Sequence, residues 1–293
     1  RFEAVDDHFT IRGCFDIYCA QGPSSTPVFK ELERKYGYFR AYDTGWPKAD
    51  LYFTPEMQRL PQNERPVILY SSTFTRGLTS APLLAEEVER LVAEKPWEWI
   101  FMFHPMLDPA VSSRYERIAA AYGNAHYVGN TFDMEPLRRA DVMLCDSSSI
   151  IIEFMFLNKP VVTFRNSHPG PYLLDVREPQ EVGPAIERAL TRPDGLMREI
   201  HDYTMFHEPH RDGRCAARVL DAVDDFLVNR AADGGREPAV AKEGGCGAAL
   251  LDVAAHLLVD FPCGNARLDQ AACQGARPGG NLAGLAHASY LMR

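Results

Sequence analysis

The chain has 293 residues, 46% hydrophobic and 24% charged, with a formal net charge of −9. That length suits one large or two medium domains with a substantial core, and the acidic balance, without any dense basic stripe, excludes a generic nucleic-acid binder. No uninterrupted apolar run approaches transmembrane length. The 7 cysteines (Cys14, Cys19, Cys145, Cys215, Cys246, Cys263 and Cys273) are scattered without a CxxC spacing. That pattern points to reduced thiols in a cytosolic protein; no ligand cluster demands a metal, and no cofactor is expected.

In chain order, residues 15–19 read as a strand, and Ser24-Ser25-Thr26-Pro27 caps a helix carrying Phe29, Leu32 and Tyr36. Residues 39–42 read as a second strand, followed by the turn Thr44-Gly45-Trp46-Pro47. Two strand–helix steps are too few for a dinucleotide-type domain, so residues 1–53 read as the end of a Rossmann-like domain. Prolines at 55, 61 and 66 mark 54–65 as a linker.

Residues 66–230 then alternate strand and helix. Strands are expected at 67–70, 99–103, 126–128, 142–145 and 161–164; helices at 82–93, 111–122, 134–139, 150–157, 181–190, 195–205 and 214–228. Strands separated by helices of this length imply right-handed crossovers and a parallel sheet covered on both faces, an α/β fold. From 231 to 293 the chain holds about half of its 21 glycines, with helical potential only at 248–261. Such a composition does not readily offset chain entropy, so this stretch reads as a disordered tail.

Ligands of parallel sheets bind beyond the carboxyl ends of the strands. The loop Ser71-Ser72-Thr73-Phe74-Thr75-Arg76, His104 and the turn Asp146-Ser147-Ser148-Ser149 are all expected at those ends. The turn, between strand 142–145 and a helix, offers backbone N–H groups and hydroxyls to a phosphate or diphosphate. Ordinary N-capping by serine is the plainer reading of the same residues.

Several landmarks together resemble one family. Gly13-Cys14-Phe15-Asp16 leads to Gly22-Pro23-Ser24-Ser25, and Thr44-Gly45-Trp46-Pro47-Lys48-Ala49-Asp50 matches a Thr-Gly-aromatic-Pro turn with a following Asp. Tyr70-Ser71-Ser72-Thr73-Phe74, His104-Pro105, and Asp146-Ser147-Ser148-Ser149 with Glu153 follow in the same order. Over roughly residues 5 to 228 the chain is similar to the CDP-glycerol glycerophosphotransferases, the teichoic acid polymerases and primases with a two-Rossmann GT-B fold. It departs from them at Ser72, where Pro is usual, and at Met102, where a basic residue precedes His-Pro.

The resemblance implies transfer of a polyol phosphate from a CDP-activated donor to a lipid-linked or glycopolymer acceptor, with release of CMP. It also implies a cytoplasmic protein, peripheral on the inner face of the membrane. Ser147, Ser148 and Ser149, with Thr73 and Arg76, would hold the donor phosphates, and His104 would hydrogen-bond or protonate the departing phosphate. Glu153 would accept the ribose hydroxyls, His168 lies where nucleotide bases sit, and Asp146 reads as an anchor rather than a metal ligand. The solvated or capping alternatives for His104, Arg76 and Glu153 stay open. The family's His-Gly motif has no counterpart here, since His8 is not followed by Gly. The expectation is therefore an N-terminally truncated, donor-binding half that binds nucleotide without turning over alone. Two rival readings are a UDP-N-acetylglucosamine 2-epimerase-like isomerase and a non-catalytic nucleotide-binding remnant.

Overall fold

Short apolar strands alternate with amphipathic helices throughout the computed structural model, which describes residues 9, 11–12, 14–129 and 133–232. Strand β1 (Ile17–Ala20), helix α1 (Thr26–Tyr36) and strand β2 (Arg40–Asp43) open the chain, and the two strands pair in parallel. Tyr18, Phe29, Phe39 and Ala41 form their common core. Helix α1 stops at Gly37, whose φ of 70° supplies the left-handed cap and whose N–H donates to the Glu33 carbonyl.

A 3-10 helix (Pro47–Leu51) and α2 (Pro55–Gln58) follow. The segment expected as a linker thus holds a helical turn. Thr54 caps it by accepting the Met57 N–H, Pro55 occupies its first turn, and the Met57 side chain is buried.

Next come β3 (Val67–Tyr70), α3 (Ala81–Glu94), β4 (Glu98–Phe101), α4 (Pro109–Ala121), β5 (Ala125–Tyr127) and α5 (Glu135–Arg139). They are followed by β6 (Val142–Cys145), α6 (Ile150–Met155), β7 (Val161–Phe164) and β8 (Leu174–Val176). Helices α7 (Val182–Leu190), α8 (Asp194–His207) and α9 (Cys215–Ala232) complete the described chain. Strands β3 to β8 form one all-parallel sheet in the order β5-β4-β3-β6-β7-β8.

Alternation along each strand sends successive side chains to opposite faces, so the sheet has two cores. Ile68, Tyr70, Trp99, Phe101, Val142 and Leu144 pack with Leu84, Val88 and Tyr115 on one side. Leu69, Ile100, Met143, Cys145 and Val161 pack with Phe154, Ile200 and, from the 3-10 segment, Trp46 and Tyr52 on the other. That second core fastens the segment after β2 to the large sheet. Helix α9 returns to the same segment: Asp50 accepts the Cys215 and Ala216 N–H groups, each at 2.9 Å, and so caps α9.

The expected strands at 67–70, 142–145 and 161–164 match to the residue. The strand expected at 99–103 ends at Phe101, with Met102 and Phe103 continuing buried beyond it. Strand β8 was not anticipated. Helix α9 runs through Ala232, two residues into the expected tail of 231–293; the rest of that tail, with its helical stretch 248–261, lies outside the described residues, as do Gly13 and His8.

Candidate functional site

Strand order reverses between β3 and β6. The chain moves outward from β3 to β4 and β5, then crosses back to β6 and moves outward the other way. At such a switch point the loops leaving the two central strands diverge and open a crevice at their carboxyl ends.

Asp146, at the end of β6, spans that divergence. Its carboxylate is fully buried. It accepts from the Ser72 hydroxyl, from the Thr73 N–H at 3.0 Å, and from the Ser80 N–H and hydroxyl, both at 2.9 Å. One side chain thereby ties β6 to the loop after β3 and to the start of α3. Burial raises its carboxyl pKa, against the pull of those donors. The carboxylate thus anchors the loop after β3 and the start of α3 rather than the helix that follows its own turn.

The serines that follow divide in two. Ser147 is buried, and its hydroxyl accepts the Ser167 N–H at 2.8 Å, while the Asn166 amide donates to the Asp146 carbonyl at 2.7 Å. The loop after β7 is thus stitched to this turn. Ser148 and Ser149 are partly exposed, and Ser149 precedes α6 without any side-chain capping hydrogen bond. Ordinary N-capping therefore does not account for its hydroxyl. His168 is exposed in the stitched loop; its N–H donates to Asn166 Oδ1 at 2.8 Å, and its ring lies 3.1 Å from the Ser167 hydroxyl.

Glu153 is 4% exposed, so it is no solvated helical acid. Its Oε1 accepts from Lys48 Nζ at 2.7 Å, and its Oε2 accepts from the Tyr52 hydroxyl. Burial, then the Glu153 charge, pushes the Tyr52 phenol well above its ordinary value, so it stays a proton donor. Lys48, whose side chain is 46% exposed, brings a cation to the first turn of α6 from the segment after β2. The sequence reading did not single out Lys48. Its signal was the position after Trp46-Pro47, which fixes the 3-10 turn.

His104 leaves the end of β4. Its Nδ1 accepts the Met106 N–H at 3.1 Å, and the Phe74 ring lies against it with centroids 4.2 Å apart. Thr73 is committed through its N–H to Asp146. Arg76 is exposed and makes no hydrogen bond or ion pair among the described residues. The structure thus joins Thr73 and His104 through one loop, and Ser147 and His168 through another; Asp146 and its neighbours link the two. It shows no direct bond from Arg76 or Glu153 to that network.

Comparison with known proteins gives this arrangement a family. Residues 13–224 match the family described as CDP-glycerol:poly(glycerophosphate) glycerophosphotransferase. The chain belongs to that family. Among curated proteins, it is 29% identical over 138 residues to a teichoic acid poly(ribitol-phosphate) polymerase of Bacillus spizizenii, covering 41% of this chain and 22% of that protein. A probable UDP-N-acetylglucosamine 2-epimerase of Ralstonia solanacearum is 24% identical over 129 residues, covering 42% of this chain and 34% of that protein. The matches therefore span about a fifth to a third of the length of these relatives.

Structures of the wall teichoic acid polymerase TagF superpose with TM-scores of 0.50 and 0.51 at 15% and 16% identity. They cover 74% and 73% of this chain and 60% and 59% of those chains. This likeness establishes the fold, GT-B type with parallel Rossmann-like sheets, as the sequence led one to expect. Within the glycerophosphotransferase family frame, the Asp of the Thr-Gly-aromatic-Pro turn is here Asp50, the cap of α9.

Proposed function

We propose that this glycerophosphotransferase-family chain binds a CDP-activated polyol phosphate and supports its transfer to a hydroxyl of a cell-envelope glycopolymer. The observation that carries the reading is the convergence of three loops, after β3, β6 and β7, on Asp146 at the switch point, with His104 held beside the first of them. In this reading residues 66–230 are the donor-binding domain, 1–53 the end of an acceptor-side Rossmann-like domain, and 54–65 the connection.

In the transfer, an acceptor hydroxyl oxygen attacks the phosphorus of the polyol phosphate and gives up its proton to solvent, the bond to the CMP phosphate breaks, and CMP leaves with the electron pair. With Nδ1 accepting from Met106, the His104 ring offers its Nε2–H as a hydrogen-bond donor to the departing phosphate. Ser148 and Ser149 hydrogen-bond the diphosphate, Thr73 contributes its hydroxyl, and Arg76 and Lys48 bring positive charge. Glu153, oriented by Lys48 and Tyr52, faces the ribose, and His168 borders the base. The acceptor is lipid-linked or polymeric and is met at the inner face of the membrane; no helix among the described residues is long and apolar enough to cross one.

Calorimetric titration with CMP, CDP-glycerol and UDP tests the reading. CDP-glycerol and CMP should bind more tightly than UDP, and His104→Ala should weaken CDP-glycerol by about tenfold or more, the loss of one hydrogen bond to a charged group. Ser148→Ala should weaken it less. Binding of none of the three would remove the basis of the proposal. The epimerase relative motivates the second reading, and tighter binding of UDP than CMP would select it.

A further inference from the structure

We infer that Phe74 is a positioning residue for His104, holding the imidazole in one orientation and one tautomer at the strand ends. Phe74 is 40% exposed and belongs to none of the hydrophobic cores. Its one ring partner among the described contacts is His104, at 4.2 Å between centroids with 31° between planes. Such a contact is too close and too nearly parallel to leave the imidazole free to turn about its χ2 bond.

A further restraint among the described contacts is the Met106 N–H, which donates to Nδ1 at 3.1 Å and so leaves Nε2 to carry the proton of that tautomer. A 180° flip would leave the ring in its plane against Phe74 but break that bond, whereas a tilt out of the plane would break both contacts. Phe74 is itself placed by its neighbour: Thr73 donates its N–H to the buried Asp146 carboxylate. Position therefore passes from the end of β6, through Thr73 and Phe74, to a side chain at the end of β4. The aromatic ring does this without a polar atom that would compete for the phosphate.

The inference rests on the donor-site reading for the purpose of His104, yet its first test needs no ligand. The full chain is labelled with nitrogen-15 at its 9 histidines. His104→Gln then assigns the His104 ring signals. The wild type should show one Nε2–H tautomer. Phe74→Ala should move both ring nitrogens toward averaged values, and Phe74→Tyr should restore the wild-type pattern. The thermal midpoint should hardly change, because the ring is exposed. CDP affinity should fall about three- to tenfold in Phe74→Ala, the scale of one aromatic contact, and return in Phe74→Tyr.

Unchanged nitrogen shifts in Phe74→Ala would overturn the inference whatever happens to CDP. Altered shifts with unaltered CDP affinity would overturn it too, since the ring would then be held to no effect. A wild type that binds no CDP defeats the donor-site reading instead, and the ring nitrogens alone then decide on Phe74.

Discussion

Asp146 shows how one buried side chain can order the loops that leave two neighbouring strands. Both carboxylate oxygens accept backbone N–H groups, Oδ1 from Thr73 and Oδ2 from Ser80. Asp146→Asn keeps size and shape, but either orientation of the amide sets its NH2 against one of those N–H groups. The hydroxyls of Ser72 and Ser80 can rotate to adapt; the backbone donors cannot. The substitution should cost about 2–3 kcal/mol, the penalty of a buried donor left without a partner, read as a lower urea midpoint with an unchanged slope. Ser147→Ala removes only the bond to the Ser167 N–H and should cost about 1 kcal/mol. The same test then separates the anchor from the stitch. None of these partners could be inferred from local sequence: Ser72 and Ser80 lie 74 and 66 residues from Asp146 and meet it only because β3 and β6 are neighbours.

The last turn of α8 carries two adjacent titratable groups whose effects on stability oppose each other. Glu208 is buried, with its carboxylate accepting the Trp46 and His210 N–H groups, and burial raises its pKa from 4.5 to about 7. The folded state then holds a proton that the unfolded state has lost, so stability falls as pH rises from about 4.5 to about 7. Burial lowers the pKa of His207 from 6.5 to about 4, so there the unfolded state binds the extra proton and stability rises with pH between about 4 and about 6.5. The two slopes cancel over most of their shared window. Glu208→Gln should expose the histidine slope, with stability dropping on acidification from pH 6.5 to 4.5. His207→Phe should expose the reverse, and urea titrations at a series of pH values read both. Gly45 adds a steric condition at the same junction: its φ is 75°, and a Cβ there would lie 2.5 Å from Cys215 Sγ. Gly45→Ala should therefore destabilise by about 2 kcal/mol or more, from strain and overpacking together. At this scale the central strands were legible because Val67–Tyr70, Val142–Cys145 and Val161–Phe164 are buried at every position, which leaves four consecutive apolar or β-prone residues to be seen. Strand β8 was not: it has three residues, none fully buried, and its central Asp175 is spent on Thr163, Asn166 and Arg177. An edge strand held by side-chain hydrogen bonds has no apolar run to betray it.

At the scale of the molecule, two places for a ligand can be compared among the described residues, and physical chemistry favours one. The first is the switch point between β3 and β6, where four loops carry polar groups. The second is a groove of about 780 Å³ beside β8, lined by Leu174, Asp175, Glu181, Arg188 and Leu196 among others. The groove has volume, but it lies on the flank of an edge strand and carries both acidic and basic side chains, with no set of donors arranged for a diphosphate. The switch point has the hydroxyls of Ser148 and Ser149, the His104 ring and the exposed Arg76 at the ends of strands that are rigidly paired. A ligand that binds only the folded chain stabilises it by mass action, so at a concentration 100 times its Kd it should slow amide exchange about 100-fold wherever opening requires its release. Hydrogen–deuterium exchange with saturating CDP should therefore show slowing in residues 71–78, 104–107, 146–152 and 166–170, while 180–196 exchange as before. Slowing confined to 171–196 would move the ligand to the groove beside β8 and leave Asp146, for all its hydrogen bonds, a purely structural tie.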